Sequence, residues 1–364
     1  MESSKVPNVE GGEKGRDFSY AMQLATSASF PMVLYTAIKL NLLEIISKSG
    51  PGSKLSASQI TAQLATKNSN AASMVDRMLR LLSAYSVLTC DEVNDSGEDG
   101  SVHKRVYGLT PVGKYFIENE EGFSVSPLVE LHNDKVFIDS WYELRNAVIE
   151  GGIPFNRVHG THAFDYPSRD PRFNELFNKG MVGPTGIILE KILSEYKGFE
   201  QLCTLVDVGG GLGITLHKII SKYPLIKGIN FDLPHVVHAA PSYPGVDHVG
   251  GDMFECVPGG DAIFMKMILH DWSDDHCLKL LKNCFNALPD GGKVIVVDLI
   301  LPEKPDTSTS SKGILSSDVL MMTVNPGGRE RSENEVRALA VSAGFRDSKL
   351  VTRVGSLGVT EIYK

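Results

Sequence analysis

Residues 204–213, TLVDVGGGLG, constrain this chain more than any other ten: an apolar run of strand length stops on a glycine turn, and a helical pattern follows at once. Residues 227–232, 246–250, 262–267 and 293–298 repeat the short apolar run, with helical stretches between them. That alternation predicts a mostly parallel sheet covered on both faces. In such a sheet the glycine turn lies at the carboxyl edge of its strand, where ligands bind. The helix after Ser273 carries Asp274 and Asp275 in its first turn, sets Cys277, Leu281, Cys284 and Leu288 on one face, and ends at PDGG. Ser332-x-x-Glu335 caps a further helix that stops at Gly344, and the chain end alternates as a hairpin.

The first half follows a helical period instead. Tyr20, Leu24, Ala28, Met32, Tyr35, Leu42 and Ile46 recur at three-to-four spacing, with Pro31 expected to kink or break the helix midway. Ser56-x-x-Gln59 is a capping box, and Met74, Met78, Leu81, Leu82 and Tyr85 mark a second helix. Residues 87–90 and 105–109 flank an acidic Gly/Ser loop, 91–101, as a two-stranded wing. Helix, turn, helix and wing together resemble a winged-helix module. Between positions 56 and 115, Lys67, Arg77, Arg80, Lys104, Arg105 and Lys114 are balanced by Asp76, Asp91, Glu92, Asp95, Glu98 and Asp99. No basic footprint for a phosphate backbone exists, so a structural or dimerisation role is expected rather than nucleic-acid binding. Further helices are expected over 141–150 and 170–196, with GGIPF between them.

Composition narrows the class. With 42% hydrophobic and 22% charged residues the chain folds, and a net charge of −8 disfavours nucleic acid and anionic bilayers as partners. Residues 1–17 are polar and carry acids, which reads as a flexible leader rather than a secretory or transit segment. No run approaches the ~20 apolar residues of a membrane helix. Cys90, Cys203, Cys256, Cys277 and Cys284 are scattered, with no C-x-x-C pair, as in a reducing cytoplasm where cysteine fills cores.

The glycine turn is not a dinucleotide fingerprint, because Ile214 stands where G-x-G-x-x-G needs its last glycine. Gly209, Gly211 and Gly213 are similar instead to the G-x-G-x-G signature of S-adenosylmethionine-dependent methyltransferases, whose nucleoside has no pyrophosphate to cradle. Asp232 ends the second strand 19 residues beyond Gly213, close to the about 20 expected of a carboxylate that accepts from ribose hydroxyls. Asp252 and Met253 follow the third strand and suit an adenine, the carboxylate for its amino group and the thioether for its face. His270, in KMILHDW, follows the fourth. A neutral imidazole, with a pKa of ~6.5 against ~10 for a phenol, can take the phenolic proton as a C–O bond forms. A carboxylate on the other ring nitrogen would fix the tautomer, and Asp298 and Glu330 are the two candidates. The same residues also read as a buried histidine capping the next helix, or as a metal site of His270, Asp271, Asp274, Asp275 and His276. Six residues of helical turn set those two histidines on different faces, so no metal is expected.

LVDVGGGLG, GINFDLPHVV, HVGGDMFE, GDAIFMKMILHDWSDDHCLKLLKNC, DGGKVIVVD and NPGGRERSENE resemble the successive motifs of plant type I small-molecule O-methyltransferases, most closely the caffeic acid O-methyltransferase group. AMQLATSASFPM and MVDRMLRLLSAYSVL extend the resemblance over nearly the whole chain. It implies an α/β protein: a helical winged-helix dimerisation domain over 18–170 and a Rossmann-like methyltransferase sheet over 171–364. It further implies a cytoplasmic homodimer and a metal-independent transfer from S-adenosylmethionine, leaving S-adenosylhomocysteine. His270 is then the base, flanked by Asp298 and Glu330. The cofactor positions are Thr185, Gly209, Asp232, Asp252, Met253 and Lys266. The pocket for a small aromatic substrate involves Leu131, His132, Phe173, Phe177, Met181, Leu320, Met321 and Asn325.

The chain departs from that pattern at Asp298, usually Glu, which predicts a longer or water-relayed contact with His270. It departs also at Pro167 and Pro184, where caffeate-type enzymes carry histidines, and at His132, usually Asn. The expected acceptor is a planar phenolic: a phenylpropanoid, coumarin, flavonoid or hydroxylated alkaloid. GGIPFNRVHGTHAFDY is also similar to plant N-methyltransferases acting on aromatic amines such as anthranilate-like or acridone-like acceptors, which need no strong base.

Overall fold

The computed structural model describes residues 13–95 and 102–364. Most of the expected leader, residues 1–12, and residues 96–101 of the acidic wing loop lie outside that range. Residues 13–17 are already part of helix Glu13–Ala25 rather than of a leader. The strands are β1 (Leu88–Asp95), β2 (Val102–Leu109), β3 (Thr204–Val208), β4 (Lys227–Asp232), β5 (Val246–Gly250), β6 (Ala262–Lys266), β7 (Lys293–Leu299), β8 (Asp347–Val354) and β9 (Leu357–Tyr363). Packing divides the described residues into two compact units, those up to Asp134 together with Lys179–Gly183, and Lys135–Asn178 with Pro184–Lys364. Among the described residues no single helix is long and apolar enough to cross a membrane.

In the first unit, helices Ser29–Lys39, Leu42–Lys48, Ala57–Thr61 and Ala71–Ala84 pack on the antiparallel β1–β2 hairpin around Leu42, Leu43, Ile46, Ile60, Leu79, Leu82 and Tyr107. Burying each such aliphatic side chain contributes about 1.5–3 kcal/mol. The helical run breaks at residues 26–28 and again at Asn41, which adopts φ +53°, and not at Pro31. Pro31 instead sits in the first turn of Ser29–Lys39, where its missing N–H would have had no intrahelical partner. Ser56 and Gln59 form the expected capping box. Tyr107, fully buried on the wing, donates its hydroxyl to Asp76 Oδ1 at 2.6 Å.

The second unit holds a seven-stranded sheet in the order β5-β4-β3-β6-β7-β9-β8, parallel except for β9 against β7 and β8. Successive residues alternate between its faces. Val206, Val208, Ile263, Met265, Val294 and Val296 pack with helices Asp274–Ala287 and Glu333–Ser342. Leu205, Ala262, Phe264, Ile295 and Val297 pack with Pro171–Glu195 and Ile214–Lys222 on the other face. The chain winds from β3 outward through β4 to β5, then crosses back to β6, so the strand order reverses between β3 and β6. A crevice forms at the carboxyl edge of such a switch point. Of the five cysteines only Cys277 and Cys284 fill the core; Cys90, Cys203 and Cys256 are exposed, which corrects the expectation for those three. All five are free thiols.

Candidate active site

His270 leaves the carboxyl end of β6 on a sharp turn. Met267, a non-glycine residue at φ +57°, swings the chain off the strand while its N–H still reaches Val297 O, 2.9 Å away. A single 3-10 turn, Leu269–Asp271, then presents the imidazole in the buried interior. Nδ1 of His270 lies 3.0 Å from Glu330 Oε1, and Nε2 lies 3.6 Å from Asp271 Oδ1. Ser317 donates its hydroxyl to the same Glu330 oxygen at 2.8 Å, and Asn325 donates to Asp271 Oδ1 at 2.8 Å. The Glu330 loop is strapped to the turn by its backbone, Arg329 N–H donating to His270 O at 2.8 Å. Arg331 holds it from below, donating to Leu269 O at 2.6 Å, Trp272 O at 2.8 Å and Asp274 Oδ1 at 2.7 Å.

The two candidate carboxylates therefore differ. Glu330 orients the ring; Asp298, buried at the end of β7, makes no hydrogen bond to His270, and its Oδ1 has no partner. Burial pushes the Asp298 carboxyl up to about 6, and it acts on His270 through space. Burial alone would push the His270 imidazole down, but Asp271, Glu330 and Asp298 outweigh it and carry it to about 9. Asp271 is raised by burial to about 6.

At the glycine turn, Gly209 (φ +71°), Gly211 (φ +57°) and Gly213 (φ +80°) occupy the left-handed region that side chains avoid. Asp232, at the end of β4, accepts from Gly211 N–H at 2.8 Å and Leu233 N–H at 2.7 Å. Asp252, after β5, accepts from Phe254 N–H at 2.8 Å, and Met253 packs on the core of that sheet face. Lys266 ends β6, its ammonium pushed down by burial against the pull of Asp207, Asp298 and Asp271. Thr185 lies on the long helix Pro171–Glu195. Asp232, Asp252, Met253 and Lys266 thus share one sheet edge with the glycine turn.

Of the acceptor-pocket positions, Phe173, Phe177, Leu320, Met321 and Asn325 belong to the second unit, and Leu131, His132 and Met181 to the first. Phe173 and Phe177 stand in an aromatic wall with Phe137, Phe155 and Tyr166. Phe164 links that wall to the histidine turn, meeting Phe177 edge-on at 6.4 Å and stacking on Trp272 at 6.1 Å. Leu320 and Met321 are half-buried on helix Thr309–Val324, and Asn325 is its buried C-cap. In the first unit Leu131 is buried, and burial pushes the His132 imidazole down to about 4.

Two family models match the chain: an O-methyltransferase domain over residues 141–346 and an O-methyltransferase dimerisation domain over 22–119. "Cathecol O-methyltransferase 1" of Solanum lycopersicum is 56% identical over 98% of this chain and 97% of that protein. The chain belongs to the O-methyltransferase family. Caffeic acid 3-O-methyltransferase 1 of Populus kitakamiensis is likewise 56% identical, over 100% of this chain and 98% of its own length. Among solved structures, human N-acetylserotonin methyltransferase in complex with S-adenosylmethionine has the same fold at 21% identity, with a TM-score of 0.78 over 100% of this chain and 99% of that one. LaPhzM, at 26% identity, has a TM-score of 0.74 over 95% and 98%.

The donor set of this O-methyltransferase fits S-adenosylmethionine. Gly209, Gly211 and Gly213 leave a cradle where no side chain stands at those three positions, Asp232 and Asp252 offer carboxylates to a nucleoside, and the buried Asp298 oxygen without a partner favours a cationic ligand. Among the described residues no group of three or more His, Cys, Asp or Glu side chains could hold a metal ion. Ser317, Arg331 and Phe164 escape the motif reading because their partners lie far away in sequence.

Proposed function

We propose that this O-methyltransferase methylates a phenolic hydroxyl of a small planar aromatic, with His270 as general base. The observation that carries the reading is the buried His270–Glu330 pair at the carboxyl edge of β6. Bound at the glycine turn, S-adenosylmethionine would supply a methyl group on a cationic sulfur. Thr185, Gly209, Asp232, Asp252, Met253 and Lys266 are proposed to hold it. Nδ1–H of His270 donates to Glu330, which leaves Nε2 to take the phenolic proton as the acceptor oxygen gains its methyl group. The imidazolium so formed faces Asp271, and Glu330 and Asp298 stabilise it through their charge. Leu131, His132, Phe173, Phe177, Met181, Leu320, Met321 and Asn325 are proposed to shape the acceptor pocket, which suits a phenylpropanoid, coumarin, flavonoid or hydroxylated alkaloid. The names of the caffeic acid and catechol relatives support a phenol.

Homodimer formation is supported by the dimerisation-domain match and by Phe18, Tyr20, Met22 and Leu24, all exposed on helix Glu13–Ala25. We place the enzyme in the cytoplasm. N-methylation of an aromatic amine is the second reading; the proton that the carboxylates keep on His270 favours it, since an amine offers its lone pair without a base. Replacing His270 by Ala separates the two. Phenol methylation should fall at least about a hundredfold, the lower range of general-base contributions, with cofactor affinity retained. Turnover close to wild type would overturn the base assignment.

A further inference from the structure

Beneath the glycine turn, two polar side chains serve none of the roles above. Asp207 of β3 and Asn230 of β4 are register partners in the parallel ladder. They are 2% and 0% exposed. The Asn230 amide nitrogen donates to Gly211 O at 2.9 Å and lies 3.0 Å from His248 Nδ1. Nε2 of His248 sits 3.0 Å from Pro241 O, which only accepts, so the ring hydrogen is on Nε2 and Nδ1 is the acceptor. Both amide hydrogens of Asn230 are thereby committed, and turning the amide over would set its oxygen against two acceptors. Its Oδ1 therefore points toward Gly210, as does Asp207 Oδ2. A Cβ placed on Gly210 would lie 2.8 Å from Asp207 Oδ2 and closer still to Asn230 Oδ1. Gly210 is outside the left-handed region, so clearance for these two oxygens is what makes it a glycine. Neither oxygen has a hydrogen-bond partner. Both acceptors crowd the same position at Gly210, and a hydrogen carried by one of them satisfies both.

We propose that Asp207 is kept as a neutral acid that donates its hydroxyl hydrogen to Asn230 Oδ1, completing an Asp207–Asn230–His248 chain that positions the glycine turn for the cofactor. Burial raises the Asp207 carboxyl to about 7; Lys266 on β6 opposes that shift and Asp232 on β4 adds to it. His248 on β5 reaches it only through Asn230, and Tyr243 packs between His217 and His248, stacked on the first at 4.4 Å and tilted toward the second at 6.3 Å. Asp207 acts through the turn and is a positioning residue. Above its titration a carboxylate oxygen faces the Asn230 oxygen with no donor between, and the turn loses its support. The inference rests on the reading of the turn as the S-adenosylmethionine site.

S-adenosylhomocysteine is the suitable probe, because it lacks the cationic sulfur that would itself draw a proton off Asp207. Calorimetric titration should show wild-type affinity falling roughly tenfold between about pH 6 and about pH 8.5, the effect of about one unit of pKa coupling. Asp207→Asn supplies an N–H in place of the O–H. It should keep the low-pH affinity within about threefold and lose the decline, while His270, Asp271 and Asp298 titrate alike in both proteins. Asn230→Ala, which leaves Asp207 without its acceptor, should weaken binding at every pH. Infrared spectra of the protein alone should show a carboxylic-acid C=O band that titrates near neutrality and is absent from Asp207→Asn. An equal pH decline in that variant, or no difference in the band, overturns the proposal. If the ligand fails to bind the wild type at any pH, the cofactor reading falls instead, and the infrared band still decides where the proton is.

Discussion

An imidazole held between two carboxylates is a strong base only after it has lost a proton it keeps tightly. Glu330 on Nδ1 and Asp271 facing Nε2 carry His270 to about 9, against 6.5 for a free histidine. The neutral form does the chemistry, so activity should rise with pH. The acidic limb of kcat/KM on a phenol should then lie well above the ordinary histidine range. Glu330→Gln keeps an acceptor for Nδ1–H but removes the charge. It should move that limb down by about one unit and lower kcat by about ten- to a hundredfold, because the imidazolium loses its partner. A limb that stays in place would show that Glu330 does not tune the base. His270 and Glu330 are legible in HDW and GGRER, yet the sequence leaves Asp298 and Glu330 equal. The loop that clips Arg329 N–H onto His270 O separates them, and no spacing rule encodes that clip. Asp207 and Asn230 are hidden for a related reason: a polar residue within a strand acquires meaning only when the neighbouring strand's register is known.

The strands and caps of the second half are legible because their signals are local: β3, β4 and β5 keep their expected bounds, the helix after Ser273 begins at Asp274, and Ser332 caps its helix as expected. The first half reads less well, since the three-to-four period runs unbroken through residues 26–28 where the helix breaks. The histidine turn depends on a distant cation. Arg331 is 3% exposed and donates to two carbonyls of the segment 269–272 as well as to Asp274. Arg331→Met fills the same space and takes the charged donor away from Leu269 O and Trp272 O, which keep only the weaker Cys277 thiol and, for Leu269 O, the Trp272 N–H. Chemical denaturation should show a loss of about 2–4 kcal/mol, from two hydrogen bonds to a charged donor at about 1.5–3 kcal/mol each with partial relaxation. Turnover should fall with it, since the turn that aims His270 is loosened. Unchanged stability would mean that the straps on the Glu330 loop suffice.

At the scale of the whole molecule, the site imposes a pH dependence on folding. Asp271 and Asp298 are raised from 3.8 to about 6, Asp207 to about 7, and His270 from 6.5 to about 9. Each group binds its proton more tightly folded than unfolded, so each contribution is present at low pH and is lost as pH rises through the folded value. Between about pH 6 and about pH 9 the melting temperature of the cofactor-free protein should therefore fall by several degrees. A melting temperature that rises across that window would contradict the raised values. The chain contains two tryptophans, Trp141 and Trp272. Trp272 belongs to the histidine turn, stacked on Phe164 and within 5.7 Å of the His276 ring. The protein thus carries a natural fluorophore at the reacting turn, against a background of a single other indole, so its own emission reports arrivals at the site without any label.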